Sequence, residues 1–237
     1  MKGKSMDKTF LALAALLAIL GFAIFISASL GLLAREGVTF SRVASTQLIF
    51  GLIGGSIALF IAANTHYKFW RQHALWIFVG ACVISVLVFI PGIGLELKGA
   101  HRWLSLGSFT FQPSEILKIG YIVYLATWLA NARRHIDSWK HGLLPFLGIS
   151  AVIALILLLQ KDTDTLIISM AAGLAMFVAS GAKIRDIGIV FLVALLSLST
   201  VVIMRPYVLE RIQTFLHPGA DPLGASYQIQ QSLIAVG

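Results

Sequence analysis

The chain has 237 residues, 58% of them hydrophobic and 12% charged, with a formal net charge of +8 and a mean hydropathy of +0.90. That balance excludes an ordinary water-soluble globule and a disordered segment, and it describes a protein whose main solvent is lipid. The positive charge suits anionic lipid head groups and gives no reason to invoke nucleic acid.

In chain order, the basic stretch Met1 to Lys8 precedes an apolar run from Phe10 to Leu33. This run exceeds the roughly 7 to 15 apolar residues of a signal-peptide core, and further runs follow, so it reads as a retained helix. Val43 to Ala63, Ala74 to Ile93, Pro113 to Ala130, Gly142 to Leu159, Thr165 to Gly181 and Ile187 to Met204 come next, and an eighth run begins near Ile229. Each approaches the length of about 20 residues that crosses a bilayer as a helix. The runs are apolar all round instead of alternating, and an open sheet cannot satisfy its backbone in lipid, so helices are expected. The expected fold is an all-α polytopic membrane protein, with seven transmembrane helices and the start of an eighth. It forms a single transmembrane domain over residues 1–237, incomplete at its C-terminal end.

Lys and Arg set the orientation. With the N-terminus in the cytoplasm, Lys2, Lys4, Lys8, Lys68, Arg71, Arg133, Arg134, Lys140, Lys183 and Arg185 fall inside, and Arg35, Arg42, Lys98, Arg102, Lys161, Arg205 and Arg211 fall outside. The cytoplasmic excess follows the positive-inside bias. Cys82 stands alone in an apolar run, where it packs as a small hydrophobe and has no partner for a disulfide within the chain. No His or Cys cluster shows metal-ligand spacing.

Three polar groups then share the outer side. The first is GAHRWLSLGSFTFQPSEILK, Gly99 to Lys118. Glu115 and Lys118 are three apart and share a helix face, either as a functional pair or as a pair that joins helices. Pro113 and Ser114 mark a helix start. The second is QKDTDT, Gln160 to Thr165, where Asp162 and Asp164 suit a cation or a substrate hydroxyl, or form a solvated turn. The third is the long loop 205–226, RPYVLERIQTFLHPGADPLGAS. Val208, Leu209, Ile212, Phe215 and Leu216 recur at helical spacing, which predicts a short amphipathic helix ending at His217-Pro218. Asp221 follows in a turn bounded by Pro and Gly. A carboxylate flanked by basic side chains suits general-base work beside an anionic leaving group, although charged surface loops look similar.

GAHRWLSLG with FQPSEILK, then LLLQKDTDT, then RIQTFLHPGADPLGASYQIQQSLIAVG resemble the successive signatures of the SEDS family, the FtsW and RodA peptidoglycan glycosyltransferases of bacterial division and elongation. The wording IPGIGLELKGAHRWLSLG is closer to the FtsW branch. The resemblance covers nearly the whole chain and implies a multi-pass enzyme of the bacterial cytoplasmic membrane. Such an enzyme polymerises lipid II, the undecaprenyl-pyrophosphoryl disaccharide-pentapeptide, at the outer face.

The family's essential aspartate falls on Asp221, as general base. Its cavity and substrate residues fall on Arg102, Gln112, Ser114, Glu115, Lys118, Gln160, Asp162 and Thr165, with Arg205, Gln228, Gln231 and Ser232 around the last loop. Arg102, Lys118 or Arg205 would meet the charge of the departing pyrophosphate, and a divalent cation is chemically compatible there. Implied partners are a class B penicillin-binding protein and other division or elongation proteins.

Two departures stand out. His101 precedes Arg102 where the family has two arginines, and Lys161 and Asp164 stand where the QPDxGT pattern has Pro and Gly, which changes the turn and adds a charge. The family also has spans beyond those seen here, so the resemblance implies a chain that stops at Gly237 within a span. A lipid II flippase or a non-catalytic division scaffold would also present polar groups among many spans. A transporter, however, gathers them near the midplane between symmetric halves.

Overall fold

A computed structural model describes residues 8–30, 51–97, 99–106, 109–204, 209, 213–217 and 226–236. The described residues are mostly helical. The helices are α1 (Lys8–Leu30), α2 (Gly54–Asn64), α3 (Tyr67–Val86), α4 (Pro113–Ala132), α5 (Leu144–Leu159), α6 (Thr163–Ala179), α7 (Ile184–Met204) and α8 (Tyr227–Val236). Among the described residues, three helical stretches, Lys8–Ser27, Tyr67–Phe89 and Trp139–Leu159, are long and apolar enough to cross a membrane. Gly51–Asn64 and Thr163–Ala179 are shorter apolar helices. Large apolar side chains face outward along α1 and α7, among them Phe10, Leu17, Phe191 and Ile203. Outward faces as apolar as an interior belong to helices in lipid, so the protein is a polytopic membrane protein.

The chain divides into two compact units, one of residues 1–73 with 106–110 and one of residues 74–105 with 111–237. The first holds α1, α2 and the opening turns of α3. There α3 begins at Tyr67, seven residues before the Ala74 expected from hydropathy, because a helix continues past the hydrocarbon edge wherever its residues tolerate it. His73 therefore lies on α3 instead of in a loop, and its Nδ1 is 3.0 Å from the Phe69 carbonyl.

In the second unit α3 ends at Val86 and a short 3-10 turn, Leu87–Phe89, closes it before Pro91. Proline disfavours helix at the residue before it, so the span stops short of the expected Ile93. The polar stretch that follows is a sheet, which an all-helical reading did not anticipate. Strands β1 (Gly94–Leu97) and β2 (Ala100–Leu106) pair antiparallel, and β3 (Phe109–Phe111) precedes α4. Leu97 pairs with Ala100, and Gly99 just before Ala100 has a positive φ of 73°.

The core of the second unit lies among α3 to α7. On α4 the residues Leu117, Tyr121, Leu125 and Leu129 recur every fourth position and are buried against Phe78 and Ala81 of α3, Phe146 and Ile153 of α5, and Leu166 and Phe177 of α6. Phe146 stacks on Phe177 at 4.3 Å between ring centroids. Cys82 packs against this core, as its apolar setting predicts. The Tyr121 hydroxyl hydrogen-bonds the Ser150 hydroxyl at 2.9 Å, and it fits only because α6 carries Gly173 beside it.

A Cβ at Gly173 would overlap that hydroxyl and stand 3.1 Å from Tyr121 Cζ. Gly173→Ala is therefore expected to destabilise the unit by about 1–3 kcal/mol, the usual cost of overpacking. Adding Tyr121→Phe removes the overlapping atom and should restore part of the loss. Thermal unfolding of the two single variants and the double variant in detergent checks both signs.

Candidate functional site: a buried polar cluster at one end of α4 and α6

Three segments that are distant in sequence meet around one turn. Pairing in the hairpin sets Leu95 opposite Trp103 and Glu96 opposite His101. Arg102 is thus the extra residue of a β-bulge. A bulge re-aims the side chain it carries, and here the Arg102 guanidinium donates from Nη2 to the Lys161 carbonyl. Lys161 lies in the turn between α5 and α6 with a left-handed φ of 59°. That backbone is uncommon for a residue with a side chain and marks a conformation held by its surroundings.

Gln160, at the C-cap of α5, is fully buried and donates from Nε2 to the Ser85 carbonyl of α3 at 2.7 Å. Asp162 is the N-cap of α6 and is 2% exposed. Its Oδ2 accepts the Ser114 hydroxyl at 2.9 Å and Gln112 Nε2 at 3.1 Å, and its Oδ1 faces the Thr165 N–H at 3.4 Å. Gln112 and Ser114 cap and open α4. The carboxylate therefore sits where α6 begins and bonds to the first turn of α4, and both N-termini favour negative charge. A buried carboxylate needs such donors, since desolvation without them is costly.

The two readings of Gln160 to Thr165 can now be separated. The segment is not a solvated turn at Asp162, which is buried, while Asp164 is exposed. Lys161, which stands at the Pro of the QPDxGT pattern, takes a left-handed φ of 59° that a proline ring forbids, so the turn differs there. Glu115 and Lys118 do pair as their spacing predicts, at 2.9 Å, with side chains 57% and 25% exposed. An exposed pair of this kind contributes at most about 1 kcal/mol. Glu115→Gln is accordingly expected to leave thermal stability almost unchanged. A large loss of activity in that variant would then be read as a functional role of the pair, with Glu115 positioning the Lys118 ammonium.

The structure thus brings together Arg102, Gln112, Ser114, Gln160, Asp162 and Thr165, and it turns most of their polar atoms toward one another or toward backbone. Arg102 Nε, Ser85 Oγ and Gln160 Oε1 are buried around the same turn with no hydrogen-bond partner among the described residues. Hydropathy alone did not single out Ser85; its signal was a lone hydroxyl in an apolar run.

Asp221 and Arg205 lie outside the described residues, as does most of the amphipathic stretch expected before Asp221; residues 213–216 of that stretch are helical. Gln228, Gln231 and Ser232 lie on α8, where Gln231 and Ser232 are exposed. Among the described residues no group of three or more His, Cys, Asp or Glu side chains is placed to hold a metal ion. The acceptor atoms of Asp162 are already engaged by Ser114, Gln112 and Thr165.

The family described as "Cell cycle protein", which groups FtsW, RodA and SpoVE, matches residues 7–237. Stage V sporulation protein E of Bacillus subtilis (strain 168) is 37% identical over 194 residues, covering 82% of this chain and 53% of that protein. A probable peptidoglycan glycosyltransferase FtsW of Geobacter sp. (strain M18) is 34% identical over 234 residues, covering 98% of this chain and 63% of that protein.

Two solved structures are also similar. The crystal structure of the Thermus thermophilus rod shape determining protein RodA superposes with a TM-score of 0.62 at 25% identity, over 83% of this chain and 61% of that one. A chain of a peptidoglycan synthase complex, studied for its structural coordination of polymerization and crosslinking, superposes with a TM-score of 0.71 at 27% identity, over 98% of this chain and 66% of that one. The chain spans 53% and 63% of the length of the two curated relatives. From residue 7 to residue 237, in sequence and in fold, the chain belongs to the SEDS family of FtsW, RodA and SpoVE proteins.

Proposed function

We propose that this chain is part of a peptidoglycan glycosyltransferase that polymerises lipid II at the outer face of the bacterial cytoplasmic membrane, with its N-terminus in the cytoplasm. In this arrangement seven helices span the bilayer, an eighth begins after the loop 205–226, and that loop lies outside the cytoplasm. The supporting observation is the polar cluster. Arg102, Gln112, Ser114, Gln160 and Asp162 come from separate family signatures and meet at the same end of α4 and α6. The names of the FtsW relatives and of the synthase complex support the same reading.

In the proposed reaction Asp221 takes the proton from the 4-hydroxyl of the acceptor sugar as that oxygen bonds to the anomeric carbon of the donor. The anomeric carbon–oxygen bond breaks, and the electron pair leaves with undecaprenyl pyrophosphate. Arg102, Lys118 and Arg205 stabilise the negative charge that builds on that group. Glu115 holds the Lys118 ammonium in place. Gln112, Ser114, Gln160, Asp162 and Thr165, largely buried and bonded to one another and to backbone, hold Arg102 and the first turn of α4 in place from behind the substrate surface. Gln228, Gln231 and Ser232 contribute to substrate binding from the helix that follows the loop. Donor and acceptor are both anchored in the bilayer plane, which lowers the entropic cost of bringing two sugars together. A class B penicillin-binding protein is the proposed partner, and it would cross-link the new strand.

The test is to supply purified lipid II in detergent micelles, where there is no leaflet to cross, to the protein at the full length its gene encodes. Glycan strands with release of undecaprenyl pyrophosphate are expected. A protein that moves lipid II between leaflets of vesicles and makes no strand in micelles would be a flippase. One that does neither, while binding its division partner, would be a scaffold.

A further inference from the structure

The opposite end of the α4 and α6 pair carries a second feature that the proposed reaction does not use. Both helices start at the Asp162 cluster, so both finish together, α4 at Ala132 and α6 at Ala179. Between their last turns lies a groove of about 400 Å³, walled by Ala126, Leu129, Ala130 and Met176, with Arg133 and Ser180 at its polar end. Ala126, Ala130 and Arg133 are exposed.

We propose that this groove binds an anionic phospholipid, with the phosphate on Arg133 and the first acyl carbons along Ala126 and Ala130. The charges at this end argue for an anion. Asp137 faces Lys183 at 4.0 Å and Asp186 faces Arg185 at 3.0 Å. Among the described residues these acids therefore leave Arg133, Arg134 and Lys140 as surplus cations. Arg133 caps α4 and offsets the partial negative charge of that helix C-terminus. The small side chains on the α4 wall leave room for a chain to lie against Leu129 and Met176. The volume is at the lower end of the range of ligand sites, about 300–1,000 Å³, and fits a head group with the start of a tail.

Native mass spectrometry of the detergent-purified protein, titrated with phosphatidylglycerol or phosphatidylcholine, tests the site. Phosphatidylglycerol should be retained preferentially. Arg133→Gln should weaken its retention about fivefold, the effect of one cation near a phosphate surface. Ala130→Leu, which fills the groove and keeps every charge, should weaken it comparably. Arg134→Gln, outside the groove lining, serves as the comparator and should change retention less than Arg133→Gln does. Equal retention of the two lipids, an unchanged Ala130→Leu, or equal losses from Arg133→Gln and Arg134→Gln would each overturn the proposal.

Discussion

Asp162→Ala is expected to destabilise the protein by about 3 kcal/mol, because a buried donor left without its acceptor costs about 1–3 kcal/mol and a lost N-cap adds about 1 kcal/mol. The substitution strands the buried Ser114 hydroxyl, which donates to Asp162 Oδ2, and takes one of two acceptors from the half-buried Gln112 amide, which keeps Ser114 Oγ at 3.0 Å. The cap is the weaker part, since the Thr165 N–H is 3.4 Å from Oδ1. Asp162→Asn should cost less. The Gln112 amide can turn so that its oxygen accepts from the new Asn amine, and a serine hydroxyl donates or accepts equally well. Thermal unfolding of both variants in detergent checks the order. Stability unchanged in Asp162→Ala would mean that the cluster does not hold α4 to α6. Because the cluster joins the hairpin, α4 and the α5–α6 turn, the same variant should also lower glycan synthesis.

The second large effect is expected at Asp221. Replacing a general base by an amide of the same size leaves shape and most contacts in place and removes the proton acceptor. General acid–base contributions are about 10²–10⁴-fold, so Asp221→Asn should lower the rate of strand formation by that factor, with unfolding behaviour and lipid II binding nearly unchanged. A loss confined to binding would assign Asp221 to substrate positioning. A residual rate near that of the native protein would move the base to another residue.

Much of the fold was legible in the sequence because lipid imposes long apolar runs. The starts of α4 at Pro113, α5 near Gly142 and α6 near Thr165 agree with expectation to within about two residues, the usual uncertainty of helix ends. Hydropathy failed where a helix outlasts the hydrocarbon, as α3 does before Ala74, and where proline cuts one short, as Pro91 does.

The sheet went unread although its signal was present. Lys98-Gly99 is flanked by the alternating Leu95, Glu96 and Leu97, and a turn pair between alternating residues is a hairpin pattern. Short strands in a loop between apolar spans are easily read as loop.

In the site, motif order identified Arg102, Gln112, Ser114 and Asp162, but it did not show that Asp162 is buried or that Ser114 and Gln112 bond to it. Burial depends on which helix ends meet, and no single segment encodes that. The bulge at Arg102 is likewise a property of two paired strands.

The most direct measurement is the initial rate of glycan strand formation from micellar lipid II by the full-length native protein and by Asp221→Asn, with matched unfolding curves for both. Strands from the native protein and a loss of about 100-fold or more in the variant are expected. Strand formation by Asp221→Asn at the native rate, or none by the native protein together with its penicillin-binding partner, would contradict a polymerase built around Asp221.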